Sequence, residues 1–248
     1  SEDSEDMNVA IVAFGGSFSE YVMSRINSQN FDEVWGINSI GAIFHVDKTF
    51  MMDPASRFLD GKKAGKQTGI AQEFLLKTPK KGPIYSCCLD ERVPEIELYP
   101  LKEVVGSLGF AYFNNTVAYA LAYAIYSEKV SKIHLYGIDF SYKQNINFAE
   151  AGRACCEFWC AIALSKGIQI EIAQNSGFMD TNVPENEKLY GYHRLADPLV
   201  QTIKDGNLII VPQSEYIKEE KETLSPPEPL DNPVLIGRHD VPGVSYND

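Results

Sequence analysis

Apolar and polar positions divide the first 180 residues into short apolar runs that alternate with stretches of helical spacing. Residues 8–14 (Asn-Val-Ala-Ile-Val-Ala-Phe) are a nearly unbroken apolar run, as expected of a strand buried on both faces. Gly15-Gly16-Ser17 follows, and Phe18, Tyr21, Val22 and Ile26 then recur at helical spacing over 18–28. Residues 33–37 predict a second strand ending at Asn38-Ser39, and 48–52 a short third ending at Asp53-Pro54. The middle is less regular, with a helix expected at 68–77, a strand at 84–86 and a short helix at 101–108. Residues 116–127 are Ala-rich and apolar nearly all round, which predicts a buried helix. A strand at 132–138 reaches Asp139, a strong helix covers 149–166, and 168–173 alternates as a half-exposed strand does.

Strands alternating with helices predict a three-layer α/β fold of Rossmann type, a mostly parallel sheet with helices on both faces. The expected domain spans 7–212, with an irregular insertion near 54–112. Residues 1–6 precede Met7 and read as a leader or cloning remnant. Beyond about residue 180 the periodicity fades, and 213–248 reads as a proline-rich acidic tail that wraps the domain, joins copies into a homo-oligomer or stays disordered.

The formal charge of −12 looks like a strong signal until it is located. Residues 1–6 carry −4 and residues 215–248 carry −5, leaving −3 on the body between them. A near-neutral body without a basic patch does not favour tight binding of duplex nucleic acid. No apolar run approaches the ~20 residues of a membrane span. Of five cysteines, four lie in the doublets Cys87-Cys88 and Cys155-Cys156, which is no disulfide framework and suits a cytoplasmic location. No Cys or His spacing predicts a metal site.

In an open α/β sheet, ligands bind beyond the carboxyl ends of the strands. That rule selects Gly15, Gly16 and Ser17, then Asn38, Asp53, Asn115 and Thr116, and finally Gly137 and Asp139. The glycine turn either serves only the strand–helix junction or brings backbone N–H groups to an anion. It lacks both the G-x-G-x-x-G and the G-x-x-x-x-G-K-[ST] spacing, so neither a nicotinamide site nor a P-loop is expected. Asn115 and Thr116 either cap a helix or offer its dipole to a phosphate. Glu150, Arg153 and Glu157 form either an exposed ion-pair stripe or a cleft-facing pair at Glu150 and Arg153. His193, in Tyr-Gly-Tyr-His-Arg at 190–194, is the one histidine set among polar and aromatic neighbours.

Several of these segments, in order, resemble the bacterial lipooligosaccharide-type sialyltransferases and the wider superfamily around them. That superfamily includes archaeal hydroxymethylpterin pyrophosphokinase and unassigned phage and bacterial proteins. The similar pieces are Val-Ala-Phe-Gly-Gly-Ser-Phe at 12–18, Trp-Gly-Ile-Asn-Ser at 35–39 and Phe-Met-Met-Asp-Pro-Ala-Ser at 50–56. They continue with Asn-Asn-Thr-Val-Ala-Tyr-Ala at 114–120 and Ile-His-Leu-Tyr-Gly-Ile-Asp-Phe-Ser-Tyr at 133–142. Ala-Cys-Cys-Glu-Phe-Trp at 154–159 and Ile-Ala-Gln-Asn-Ser at 172–176 complete the set.

The resemblance implies a glycosyltransferase that moves a sugar, or another phosphate-activated group, from a nucleotide donor to an acceptor. It implies that Gly15, Gly16 and Ser17 approach the donor phosphate and that Asn38 bonds the nucleotide. Asn115 and Thr116 would offer donors to phosphate or sugar, Gly137 and Asp139 would line the nucleoside pocket, and Tyr142 would support the leaving phosphate. This chain departs from the pattern at two points. The catalytic histidine expected before Ala-Cys-Cys-Glu-Phe is absent from 145–150, which leaves Glu150 or His193 as base and Arg153 for phosphate charge. Asp53 stands where those transferases have asparagine, and a carboxylate beside phosphate calls for a cation such as Mg²⁺. The rival expectations are therefore an Mg²⁺-dependent pyrophosphokinase using Asp53 and Asp139, or a non-catalytic nucleotide-binding or interaction module.

Overall fold

Continuous apolar runs become interior parallel strands. The structure, a computed structural model, describes residues 6–61, 67–140, 146–188, 199–212 and 215. Its sheet contains β1 (Met7–Val12), β2 (Glu33–Ile37), β3 (Lys48–Phe50), β4 (Ile84–Ser86), β5 (Ile96–Leu98), β6 (Val130–Tyr136) and β7 (Gln169–Ile172). The spatial order is β5-β4-β3-β2-β1-β6-β7, with every neighbouring pair parallel. Alternation along β1 sends Val9 and Ile11 to one face and Ala10 and Val12 to the other, and all four are fully buried. Burial on both faces is what the apolar run of β1 signals.

The helices are α1 (Phe18–Ile26), α2 (Ala55–Leu59), α3 (Thr68–Lys77), α4 (Leu101–Leu108), α5 (Thr116–Tyr126) and α6 (Ile146–Ser165). On one face α5 and α6 pack with Val9, Ile11, Ile133 and Leu135. Alanines at 118, 120, 122 and 124 are all fully buried and let α5 lie close to the sheet. On the other face Tyr21 of α1 joins Ala10, Val12 and Tyr136, while Phe74 and Leu75 of α3 cover Ile84. This is the three-layer α/β arrangement expected of the periodicity.

Residues 54–112 differ from the irregular insertion read in the sequence. They carry α2, α3 and α4 and supply β4 and β5, which extend the same sheet. β5 is only three residues long, and its Glu97 and Leu98 are exposed, so it leaves almost no periodic signal. A second difference lies at β8 (Leu199–Lys204) and β9 (Asn207–Pro212), an antiparallel hairpin where no element was expected. Its turn residues Asp205 and Gly206 have φ of +51° and +78°, as a tight two-residue turn requires. The tail at 213–248 lies outside the described residues except for Glu215. Among the described residues no helix is long and apolar enough to cross a membrane.

Candidate functional site

The chain runs from β1 outward through β2 to β5 and then returns to place β6 on the other side of β1. The carboxyl ends of β1 and β6 therefore form the switch point at which open α/β sheets bind ligands. Two glycines bring the loops there into backbone contact. The Gly15 N–H donates to the Gly137 carbonyl at 2.7 Å. A Cβ on Gly15 would stand 2.5 Å from that same oxygen, and one on Gly137, at φ +68°, would stand 2.0 Å from the Ala13 carbonyl. Both positions are closed to any other residue without backbone movement.

Ser17 joins the two loops through its side chain. Its N–H donates to Oδ2 of Asp139 at 2.8 Å and its hydroxyl donates to Oδ1 at 2.5 Å, while the Gly137 N–H donates to the Ser17 hydroxyl at 2.9 Å. Ser17 is 3% exposed. Its donors are thus spent on a carboxylate that sits at the N-terminus of α1, where an anion is stabilised by the helix dipole. Ser17 thus links the loops after β1 and β6.

Of the seven left-handed non-glycine positions among the described residues, four lie at this edge. Asn38 (φ +54°), Phe140 (+49°), Met179 (+52°) and Asp180 (+55°) are all non-glycine residues in the left-handed region. Asn38 directly follows β2, Phe140 comes four residues after the end of β6, and Met179 and Asp180 lie beyond β7. Each such residue costs on the order of 1–3 kcal/mol and persists only where its surroundings hold it. Phe140 is held by packing on buried Phe178, with ring centroids 5.3 Å apart. The loop carrying Phe178 is fixed by the Ser176 hydroxyl, which donates to the Ile138 carbonyl at 2.7 Å. Glu20 of α1 completes the clamp by accepting the Gln174 and Asn175 N–H groups at 2.8 and 2.7 Å. Asn38 contributes the opposite kind of feature, because its Oδ1 is buried without a hydrogen-bond partner among the described residues. Such atoms are rare in folded proteins and call for an explanation.

Next to these loops stands the N-terminus of α5. Asn115 caps it, its Oδ1 accepting the Val117 N–H at 2.9 Å, so the capping alternative holds for its side chain. Thr116 is half-buried beside it. α6 crosses close by at Gly152, where a Cβ would lie 3.2 Å from both Asn115 Nδ2 and Phe140 Cε1. One turn further, the Cys155 thiol accepts the Asn114 N–H at 3.3 Å. Hydrogen bonds, first from Cys156 and then from backbone, bring the Cys155 pKa down to about 7, although the side chain is fully buried. Burial pushes Cys156 well up, and burial with Cys88 as neighbour pushes Cys87 up to about 12.

The remaining expected residues fall apart. Glu150 is about half exposed and bonds Arg153 at 2.5 Å, and Arg153 also approaches Glu157 at 4.0 Å. At 100° per residue, Glu150 is turned about 160° from Gly152 and so points away from Asn115 and Phe140. The ion-pair stripe forms, with Glu150 outermost and the Arg153 side chain largely buried. Burial raises the Asp53 pKa against the opposing effect of Arg57, 3.3 Å away. Asp53 lies in the loop after β3 and Asp139 in the loop after β6, and β2 and β1 stand between those two strands in the sheet. His193 and Tyr142 lie outside the described residues. His134 sits inside β6 and His45 near the opposite, N-terminal edge, so among the described residues no histidine reaches this edge.

That opposite edge carries an open groove of about 590 Å³ floored by Tyr21, Phe31 and Phe44. Its Asp47 is committed to the Val34 N–H and to Lys81. Among the described residues no cluster of three or more His, Cys, Asp or Glu has a metal-holding arrangement. No family model, curated protein or solved structure matches the chain. The class defined by the fold is an open parallel α/β protein with left-handed residues in the loops that flank its switch point.

Proposed function

We propose that the loops at the β1–β6 switch point bind the nucleotide end of an activated donor, and that the protein transfers a sugar or another phosphate-activated group to an acceptor. The observation that carries the reading is the gathering of four left-handed non-glycine residues around the β1–β6 switch point. Strain of this kind is held where it serves a ligand. The unpartnered Asn38 Oδ1 supplies an acceptor for a ligand N–H or O–H, and the N-terminus of α5 with Thr116 offers positive potential for a developing phosphate charge. Positioning and charge stabilisation would carry most of the rate in such a transfer.

A non-catalytic nucleotide-binding module is the second reading, favoured by the outward turn of Glu150 and the ion pairing of Arg153. The deciding experiment is a thermal-shift panel of nucleosides, nucleotides and nucleotide-sugars, each with Mg²⁺ and with EDTA, followed by assay of donor turnover. At 100-fold excess over Kd a ligand adds about 2.7 kcal/mol, or roughly 5–10 °C. Metal-independent shifts with one base and turnover of its sugar conjugate support the transferase. Shifts without turnover support the module, and no shift with any of them overturns both.

A further inference from the structure

We infer that Cys87 and Cys88 form a two-thiol site for a soft divalent cation of the zinc–cadmium class, held between their sulfurs at the carboxyl edge of the sheet. The inference stands apart from the nucleotide reading, since the pair follows β4, which β3 and β2 separate from the β1–β6 switch point. Successive side chains of a strand point to opposite faces, so neighbouring cysteines ordinarily hold their thiols apart. Here the chain bends at both residues as it leaves β4, and the two Sγ atoms lie 3.9 Å apart. An ion bonded to each sulfur at about 2.3 Å, the usual zinc–thiolate distance, would subtend an S–metal–S angle of roughly 116° at that separation, near the tetrahedral value. The sulfurs thus already stand at chelating distance.

The backbone on either side of the pair is fixed. The Ser86 hydroxyl donates to the Asp53 carbonyl at 3.2 Å, and the Ser86 carbonyl accepts the Tyr99 N–H at 2.9 Å. Beyond the pair, Arg92 holds the Asp90 carboxylate at 2.7 Å. Both thiols are free and half-buried, so they are sheltered without being sealed off. They also resist joining to each other. Consecutive Cα atoms stand about 3.8 Å apart, whereas an unstrained disulfide spans about 4.4–6.8 Å between Cα atoms, so the pair is held as a dithiol. The other doublet lacks these features, because Cys155 and Cys156 are fully buried in α6 and the Cys155 thiol is engaged by the Asn114 N–H and the Gly152 carbonyl. Thiolate ligands select soft ions over Mg²⁺ and Ca²⁺. Among the described residues no third Cys, His, Asp or Glu completes the set, so the ion keeps positions open to solvent and exchanges, unlike a structural zinc closed by four protein ligands. Binding is a simple exchange in which two S–H protons pass to solvent as two metal–sulfur bonds form, and no electron moves.

The test is titration of the reduced full chain with Cd²⁺ alone, free of added thiol and under nitrogen, followed by the ultraviolet thiolate-to-cadmium charge-transfer band. The expected band saturates at one equivalent, yields to Zn²⁺ and is untouched by a tenfold excess of Mg²⁺. Alkylation followed by peptide mapping identifies the ligands without any variant: Cys87 and Cys88 are both modified in metal-free native protein and both protected once cadmium is bound. Cys87→Ser and Cys88→Ser should each weaken binding at least tenfold while leaving the thermal melt of the metal-free protein in place. A band that survives both substitutions, or protection confined to other cysteines, puts the ion elsewhere and overturns the inference. Absence of a band at tenfold molar excess of Cd²⁺ overturns it, and so does a band that Mg²⁺ displaces. The protection map reads the native chain directly, so it decides the matter even where a serine variant fails to fold.

Discussion

Replacing Ser17 with alanine removes one oxygen atom and should destabilise the protein by about 3 kcal/mol or more. Two interactions disappear together. The hydroxyl's bond to the Asp139 carboxylate is charge-assisted, a type that contributes about 1.5–3 kcal/mol. The Gly137 N–H loses its acceptor in a buried position, which costs a further 1–3 kcal/mol or so. For a chain of this length 3 kcal/mol corresponds to a fall in Tm of roughly 6–12 °C. Urea-induced unfolding of wild type and Ser17→Ala measures the difference directly, with the m-value checking that the unfolded state is unchanged. Ser127→Ala is the control, because that hydroxyl only returns to the Ala124 carbonyl of its own helix at 2.8 Å, and its loss should cost no more than about 0.5 kcal/mol. A loss below about 1 kcal/mol in Ser17→Ala would refute the claim that this hydroxyl ties β1 to β6.

Two glycines of similar φ should respond differently to alanine. Gly137→Ala meets the Ala13 carbonyl at 2.0 Å and should lower stability by more than about 3 kcal/mol, whereas Gly109→Ala enters open space and should cost about 1 kcal/mol, both read from thermal melts. Burial holds the His134 pKa below the ordinary histidine value, against the pull of Glu171 at 2.8 Å. The unfolded chain therefore takes up that proton at higher pH than the folded one, so this contribution to stability is intact above about pH 6.5 and is lost as pH falls below it. Tm measured from pH 7.5 to 5 should fall less steeply in His134→Gln than in wild type. In a thiol titration with an aromatic disulfide reagent, native protein should expose at most Cys87 and Cys88, and all five thiols should react in denaturant. Rapid native reaction of Cys155 would contradict its complete burial, since a pKa near 7 without access gives no reactivity.

The fold was legible wherever an element buries a whole face. β2, α3, β4 and α4 fall at the bounds their apolar patterns predict, and β1, α5 and α6 within a few residues of them. β5 was not legible because an edge strand of three residues, two of them exposed, leaves no alternation to detect. The hairpin at β8 and β9 did carry a signal, the Asp205-Gly206 pair between two apolar runs, which the fading helical periodicity around it obscured. At the candidate site, strand-end logic located Gly15, Asn38 and Asp139, since it needs only the positions where apolar runs stop. It could not show that Ser17 spends its donors on Asp139, because the two are 122 residues apart and meet only through sheet topology. Glu20, Phe140 and Ser176 were missed for the same reason. A glutamate in a first helical turn, a phenylalanine after a strand and a loop serine have bland local explanations, and their roles arise from partners far along the chain.

The position of β1 also shapes how the protein must be made. β1 is a central strand, yet the partner on one of its sides, β6, begins 118 residues after β1 ends. At synthesis rates of about 5–20 residues per second, that side of β1 waits roughly 6–24 s for its partner to emerge. During that interval the nascent chain can assemble β1 to β5 but displays a bare run of backbone donors and acceptors flanked by Val9, Ala10, Ile11 and Val12. An apolar edge of this kind invites pairing with any other extended chain nearby. The parallel register that later seats Asp139 against Ser17 is thus also the step most exposed to error, and slowed release or chaperone cover over the first 130 residues should govern the yield of correctly folded protein.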